Sequence, residues 1–274
     1  MVTVVELRPT TVADLPALYA LFVAAINGVF EPHGFAPPGP RLDVFVNQQQ
    51  HLLDTGTSVL AEDDGRLLGF GASWQRDEHW FLASLFVDEA AQGRGVGAGL
   101  LDAVWGAAAK RRTITDAIQP VSNALYARHG LIPATPILTF TGHPRSEGRG
   151  VRPEAADVAA VDLAAYGFDR SVDHAYWQQH GRRTTWPGAY SYVFPGGAIG
   201  PVAGLDAGAA ARALAAELAR ADGKVRVRIP GSSRALVEVA LASGLRLEPV
   251  PGLLLLSETV QPATALAIAG YMLF

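Results

Sequence analysis

Trp80-Phe-Leu-Ala-Ser-Leu-Phe-Val87-Asp-Glu-Ala-Ala-Gln92-Gly-Arg-Gly95-Val-Gly97-Ala98-Gly-Leu-Leu101 is the stretch on which the reading of this chain turns. Its first eight residues are apolar, aromatic or branched and end at a polar boundary, the composition of a buried strand stopping near Val87. After the glycines, Val96, Leu100, Leu101, Val104 and Trp105 recur at helical spacing. Ala107 to Ala109 extend the helical propensity, so the helix is expected to run to Lys110-Arg111-Arg112, a solvated basic end that suits its dipole. Between strand and helix, Gly93, Gly95 and Gly97 allow a tight bend and close approach of the backbone to a ligand. Amides that open a helix lack internal partners and lie at its positive end, so the loop is a receptor for a pyrophosphate.

The loop alone leaves the owner of that pyrophosphate open. Gly93-Arg-Gly95-Val-Gly97-Ala98 satisfies the dinucleotide pattern G-x-G-x-x-A, and Asp116 stands near the place of its ribose-binding acid. Against that reading, the residues from Asp88 to Gln92 separate the strand from the first glycine, whereas a dinucleotide loop leaves its strand directly.

Two segments together resemble the GNAT N-acetyltransferases. Gln92, Gly95 and Gly97 fill the family's acyl-CoA signature, Q/R-x-x-G-x-G/A after its fourth strand, and Ser122-Asn-Ala-Leu-Tyr126-Ala-Arg-His-Gly130-Leu131 is similar to its later helix motif. The resemblance implies acetyl-CoA as cosubstrate, held by Leu85, Phe86, Val87, Gln92, Gly93, Arg94, Gly95, Val96, Gly97, Ala98, Gln119 and Ser122. Gln119 stands where members often carry asparagine. Tyr126 is then the acid that protonates the coenzyme A thiolate, and backbone N–H groups near Phe86 and Val87 face the oxyanion. An acceptor amine of lysine type has a pKa near ~10.4 and must lose a proton to attack, so a base or a water chain to one is required. The fourth strand offers Ser84 at its centre and no carboxylate; Glu31, Glu78, His79 and the Phe274 carboxylate are the candidates. Glu31 and His33 sit in a Gly- and Pro-rich segment, Asn27 to Pro40, that the resemblance makes one wall of the acceptor pocket and composition makes a solvated loop.

The rest of the chain bounds these readings. Its 274 residues suffice for two ordinary domains, and a net charge of −4 gives no reason to expect nucleic acid. Zero cysteines exclude disulfides and thiolate chemistry. The histidines show no metal spacing, and no metal is expected. The apolar run Leu18 to Phe30 reads as too short for a membrane span, and a cytoplasmic protein is the default. Strands are expected at Val2–Leu7, Ser58–Ala61, Leu67–Trp74, Thr113–Ile118 and Ile137–Thr141, with helices from Thr10 or Thr11 to Ile26 and over Asp43–Leu53.

After a linker-like segment the pattern begins again. Leu7-Arg-Pro is echoed by Val151-Arg-Pro, the hairpin Ser58–Gly71 by Ser191–Gly204, and the helix end Tyr126–Leu131 by Ala240–Leu245. From hairpin turn to helix-end glycine the first copy takes 65 residues (65 to 130) and the second 47 (197 to 244), a deficit matching one strand plus the phosphate loop. The expectation is therefore mixed α/β architecture in two GNAT-like domains, each a twisted, mostly antiparallel mixed sheet flanked by helices. Residues 1–142 form the cofactor-binding domain, 143–150 the linker and 151–274 a degenerate copy without the acyl-CoA loop. That copy would complete the acceptor pocket or mediate association, such as a homodimer. Residues 166–194, with eight of the 23 aromatics, read as core, and Ala265–Phe274 as a buried strand. The activity implied is acetyl transfer from acetyl-CoA to a primary amine, small-molecule or peptide. The alternatives are a non-catalytic acyl-CoA sensor and a nicotinamide-dependent oxidoreductase.

Overall fold

A computed structural model of the chain describes residues 5–145, 151–258 and 260–274. The strand expected at Val2–Leu7 lies partly outside these, as does the linker's 146–150. The chain divides into two compact units, one made of the chain up to Gln75 with His79–Ala109, the other of Arg76–Glu78 with Lys110–Phe274.

In the first unit β1 (Glu6–Pro9), α1 (Leu15–Phe30) and α2 (Leu42–Thr55) lead into β2 (Gly56–Asp63), β3 (Arg66–Arg76), β4 (His79–Val87) and α3 (Val96–Val104). The strands lie in the order β1-β2-β3-β4, with antiparallel β1/β2 and β2/β3 pairs. The helical run Val12–His33 spans 22 residues and is long and apolar enough to cross a membrane, against the shorter run read from the sequence. Its apolar side nevertheless belongs to the core: Leu15, Leu18, Phe22 and Phe30 are buried, and the Phe22 ring meets Phe45 at 5.2 Å and Phe86 at 5.0 Å. Those contacts tie one stripe of the helix to the core.

α3 stops at Val104, short of the expected Lys110. Two side chains take the Val104 carbonyl, Trp80 Nε1 at 2.9 Å and Ser73 Oγ at 2.8 Å. Trp105 leaves the helix to pack on Trp80 at 4.7 Å, and a Cβ at Gly106 would stand 2.7 Å from the Trp80 ring. Tertiary packing overrides the propensity of the alanines. The basic triplet instead begins a strand, Lys110 pairs with Glu78 at 3.1 Å, and Arg112 is buried.

The second unit opens with β5 (Lys110–Asp116), α4 (Pro120–Arg128) and β6 (Ile132–Gly142), followed by α5 (Val158–Ala165) and α6 (Ser171–His180). Next come β7 (Arg182–Trp186), β8 (Ala189–Phe194), β9 (Ala198–Gly204), α7 (Ala207–Ala219), β10 (Val225–Pro230) and α8 (Arg234–Ala242). β11 (Arg246–Leu247), β12 (Gly252–Leu256) and β13 (Leu266–Ala267) complete it. The main strand order is β5-β12-β6-β10-β9-β8-β7, antiparallel except for the parallel pair β9/β10 joined through α7. β12 lies between β5 and β6, pairing Leu254 with Ile114 and with Thr135, while β6 is bonded on its other side to β10. A division at 143–150 thus cuts between hydrogen-bonded neighbours.

The repeat is present, shifted by one strand from the sequence alignment. The order α6-β7-β8-β9-α7-β10-α8 matches α2-β2-β3-β4-α3-β5-α4, so Ser191–Gly204 stands in the place of β3 and β4. No strand is missing from that stretch of the second copy, although residues 151–157 form no counterpart of β1. The shortening falls on the strands and on the loop between strand and helix, Leu205-Asp206 against 88–95. Both copies end their last long helix alike: Leu131 N bonds Tyr126 O at 3.0 Å and Leu245 N bonds Ala240 O at 3.1 Å, with Gly130 and Gly244 left-handed at φ +77° and +76°. This is the six-to-one closure for which only glycine is free of strain. Trp177, Trp186, Tyr190 and Tyr192 are core residues, as expected. The last segment forms only the two-residue β13 and a bridge at Ile268 before turning to Phe274, so the long terminal strand does not form.

Because β6 and β12 each complete the other copy's strand order, the pieces 1–145 and 151–274 should not fold singly but should be recovered as one complex when expressed together. Size-exclusion chromatography and circular dichroism check this; a folded, monodisperse 1–145 would contradict it.

Candidate active site

β4 delivers the chain to the glycine loop in a fixed way. Asp88 N bonds Leu68 O at 2.8 Å, and the Asp88 carboxylate accepts from Ala90 N at 2.8 Å while pairing with Arg66 at 3.2 Å. Ala91 is buried in a cluster with Ala61, Leu68, Val96 and Leu100. The loop is therefore anchored on both sides of Gln92, whose Nε2 donates to Val87 O at 3.4 Å.

Gly93 and Gly95 then turn through left-handed conformations, φ +74° and +83°, and a Cβ at either would meet nothing within 4 Å. The open space lies in front of the first turn of α3. Gly95 is the N-cap and supplies no side chain, so the amides of Val96, Gly97 and Ala98 have neither an intrahelical nor a side-chain partner. Val96 is nevertheless buried and, with Leu100, Leu101 and Val104, fixes the helix on its sheet. The result is a rigid helix end with free donors and, in Arg94, an exposed cation beside them, the equipment for a phosphate.

The corresponding place in the second copy is built differently. The N-cap of α7 is Asp206, whose carboxylate accepts from Ala209 N at 2.7 Å. A Cβ on Gly204 would lie 2.5 Å from Ala210 N, so helix and strand are in close contact. A carboxylate already takes one of the opening amides, that of Ala209, and repels a second anion. The sequence reading expected this copy to lack the loop. The capping carboxylate was missed, although an Asp directly before an alanine run is a helix-start signal.

Gln119, Ser122 and Tyr126 lie on and before α4, in the second unit, whereas Leu85–Val87 and Gln92–Ala98 belong to the first. Gln119 is the N-cap of α4 and its carbonyl accepts from Asn123 Nδ2 at 2.8 Å. Tyr126 is 4% exposed, and its phenol hydrogen-bonds with Ser122 one turn back. Burial pushes the phenol pKa well above its ordinary value. That shift keeps the group protonated at all physiological pH, as a proton donor requires and a base does not.

The base candidates fare unequally. Glu31 and His33 are exposed, with His33 Nδ1 against Val29 O at 2.9 Å. Glu78 is largely exposed and paired with Lys110. His79 is buried on β4. Ser84 is also buried and accepts from Gln49 Nε2 at 3.1 Å, a contact brought from α2. The Phe274 main-chain oxygen accepts from the buried Arg170 at 3.0 Å.

One further carboxyl stands out. Burial pushes Asp116, at the end of β5, up to about 6, with the Arg228 charge working in the opposite direction. Its surroundings come from far along the chain. Gly252 is its register partner on β12, the Tyr271 hydroxyl fills the space a Cβ at 252 would need, and Arg228 lies over the Tyr271 ring at 5.7 Å. Nothing local in the sequence signals that burial.

Residues 21–131 match the Acetyltransferase (GNAT) family. No curated protein matches the chain. Among solved structures, a candidate acetyltransferase from Pyrococcus horikoshii superposes with a TM-score of 0.79 at 18% identity, covering 98% of this chain and 96% of that one. A GCN5-related N-acetyltransferase from Sphaerobacter thermophilus gives 0.64 at 17%, covering 95% and 98%. A tandem GNAT protein from the clavulanic acid biosynthesis pathway gives 0.55 at 12%, covering 94% and 100%. At these identities the likeness is one of fold, and it extends over both copies.

Asp116 carries a prediction whose sign follows from its shift. Its folded value, about 6, exceeds the ordinary 3.8, so between those values the folded chain holds a proton that the unfolded chain has lost. Stability contributed by this group therefore falls as pH rises through that window and stays low above it. Asp116→Asn should raise the melting temperature at pH 8, with the gain shrinking towards pH 4. A gain or loss that does not vary with pH would contradict the assignment.

Proposed function

We propose, from the premise that the chain is a GNAT-family acetyltransferase, that it moves the acetyl group of acetyl-CoA to a primary amine by direct attack in a ternary complex. The observation that carries this reading is the uncapped start of α3. Three amides of one helix turn, open space before Gly93 and Gly95, and a capped counterpart at Asp206 favour a diphosphate ligand in the first copy alone. Acetyl-CoA supplies the thioester. The residues Gln92 to Ala98 would hold its diphosphate, and Leu85 to Val87, Gln119 and Ser122 the arm that carries the thioester.

In this account the amine attacks the thioester carbonyl, and the backbone N–H groups near Phe86 and Val87 hold the negative oxygen that develops. When the C–S bond breaks, Tyr126 gives its proton to the coenzyme A thiolate. The phenol starts protonated, as a donor must, although burial makes it a weaker acid than an ordinary tyrosine. The acceptor is a small-molecule or peptide amine, and the setting is the cytoplasm. The net charge of −4 argues against a nucleic-acid acceptor.

Two variants separate binding from chemistry. Gly95→Asp, which sets a carboxylate before the open amides and a side chain on a left-handed residue, should abolish acetyl-CoA binding by calorimetry. Tyr126→Phe should keep acetyl-CoA affinity and lower kcat by ~10²–10⁴, the range for a lost general acid. Acetyl-CoA bound by the wild type with no acetylation across an amine library would overturn the transferase reading in favour of a sensor. Thermal stabilisation by NAD(P) and not by acetyl-CoA would overturn both.

A further inference from the structure

Arg112, on β5, is 7% exposed, and none of its bonds among the described residues reaches an acidic group. Its Nη2 donates a long bond, 3.3 Å, to Tyr166 O, and its guanidinium lies 5.3 Å from the Phe168 ring centre and 5.5 Å from that of Phe274. The neighbouring arginines are provided for. Arg170 pairs with Asp173 at 2.8 Å and bonds the Phe274 and Leu273 oxygens, and Arg76 takes the other oxygen of Asp173 at 3.0 Å. The other buried carboxylate of this region, Asp162, accepts from Tyr190 at 2.6 Å and lies 3.0 Å from His174 Nε2. Neither of these side-chain acids compensates Arg112, the Phe274 terminal oxygen is taken by Arg170, and burial with the Arg170 charge pushes the Arg112 pKa down to about 10.

A buried charge without an opposite partner costs several kcal/mol by general estimates, and chains keep such groups where a ligand completes them. Arg112 lies in the wall of a cavity of ≈ 240 Å³ between the end of α5, β12 and the segment 261–265. Ala165, Leu256, Ala263 and Phe274 give this otherwise mostly polar cavity an apolar stretch of wall, while Gln261 and Thr264 are exposed at its edge. We propose that this cavity binds a small organic monocarboxylate, its carboxylate on the Arg112 guanidinium and its hydrocarbon part against the apolar wall. A planar fork of N–H donors matches a carboxylate. A single guanidinium beside one apolar stretch of wall matches one negative charge on a small, partly apolar body better than a phosphate dianion. The volume is below that of sites for drug-sized ligands, which points to compact acids. The site lies wholly within the second unit and does not depend on the acetyl-transfer reading.

The test uses the full chain with sodium benzoate, its uncharged analogue benzamide, and sodium phosphate at equal ionic strength, read by thermal shift and calorimetry. Wild type should show saturable stabilisation by benzoate and none by benzamide or phosphate. Arg112→Met should melt no lower than wild type without ligand, because an unpaired buried charge has been removed. It should bind benzoate roughly tenfold or more weakly. Ala263→Leu, which fills the cavity and leaves Arg112 in place, should lose the response as well, and it decides the matter if Arg112→Met does not fold. Benzoate acting equally on wild type and either variant, benzamide or phosphate matching benzoate, or no benzoate response in wild type would each overturn the proposal.

Discussion

The opening turn of a helix has backbone N–H groups that no other part of the helix can satisfy, and what meets them decides what that helix can do. This chain presents the problem twice with opposite solutions. At α7 an aspartate follows the strand after one residue and takes the Ala209 amide itself, and helix and strand close tightly. At α3 a longer loop, pinned by Asp88 and the buried Ala91, arrives through two left-handed glycines and leaves the donors open. Repetition of the same strand-helix unit thus yields one end suited to a ligand and one that is purely structural.

A second constraint links the copies. β12 contributes Leu254, Leu255 and Leu256 between β5 and β6, and β6 in turn stands between β12 and β10. A strand with neighbours on both sides loses its backbone partners as well as its side-chain burial if either is removed. The copy without an open helix end is therefore retained for a reason independent of ligand binding: the strands that follow the α3 helix are ordered by it. The same arrangement buries Arg112 and partly covers Asp116, two charged groups on β5, with residues more than fifty positions away.

Much of this was readable from residues alone where the signals are local. The apolar run to Val87, the glycines, the helical spacing of Val96 to Val104 and the paired Gly130 and Gly244 all report on their own neighbours. Failures occurred where distant contacts decide. The alanines after Trp105 favour helix, yet Trp80 and Ser73 claim the Val104 carbonyl. The run Gly252–Leu256 shows that a strand is buried and not which strands flank it. The hairpin alignment slips by one strand because glycine-rich turns look alike, and the deficit assigned to one strand plus the phosphate loop is met by a shorter loop and shorter strands. Arg112 read as a solvated end because a basic triplet after alanines fits a helix terminus as well as a strand start.

The most direct measurement of the central claim follows backbone amide ¹H–¹⁵N shifts during titration with acetyl-CoA. The account predicts saturable shifts at Val96, Gly97 and Ala98, with the amides of Gly208 and Ala209 at the start of α7 unmoved. Saturable binding that leaves Val96 to Ala98 unshifted, or that moves the α7 amides instead, would contradict it.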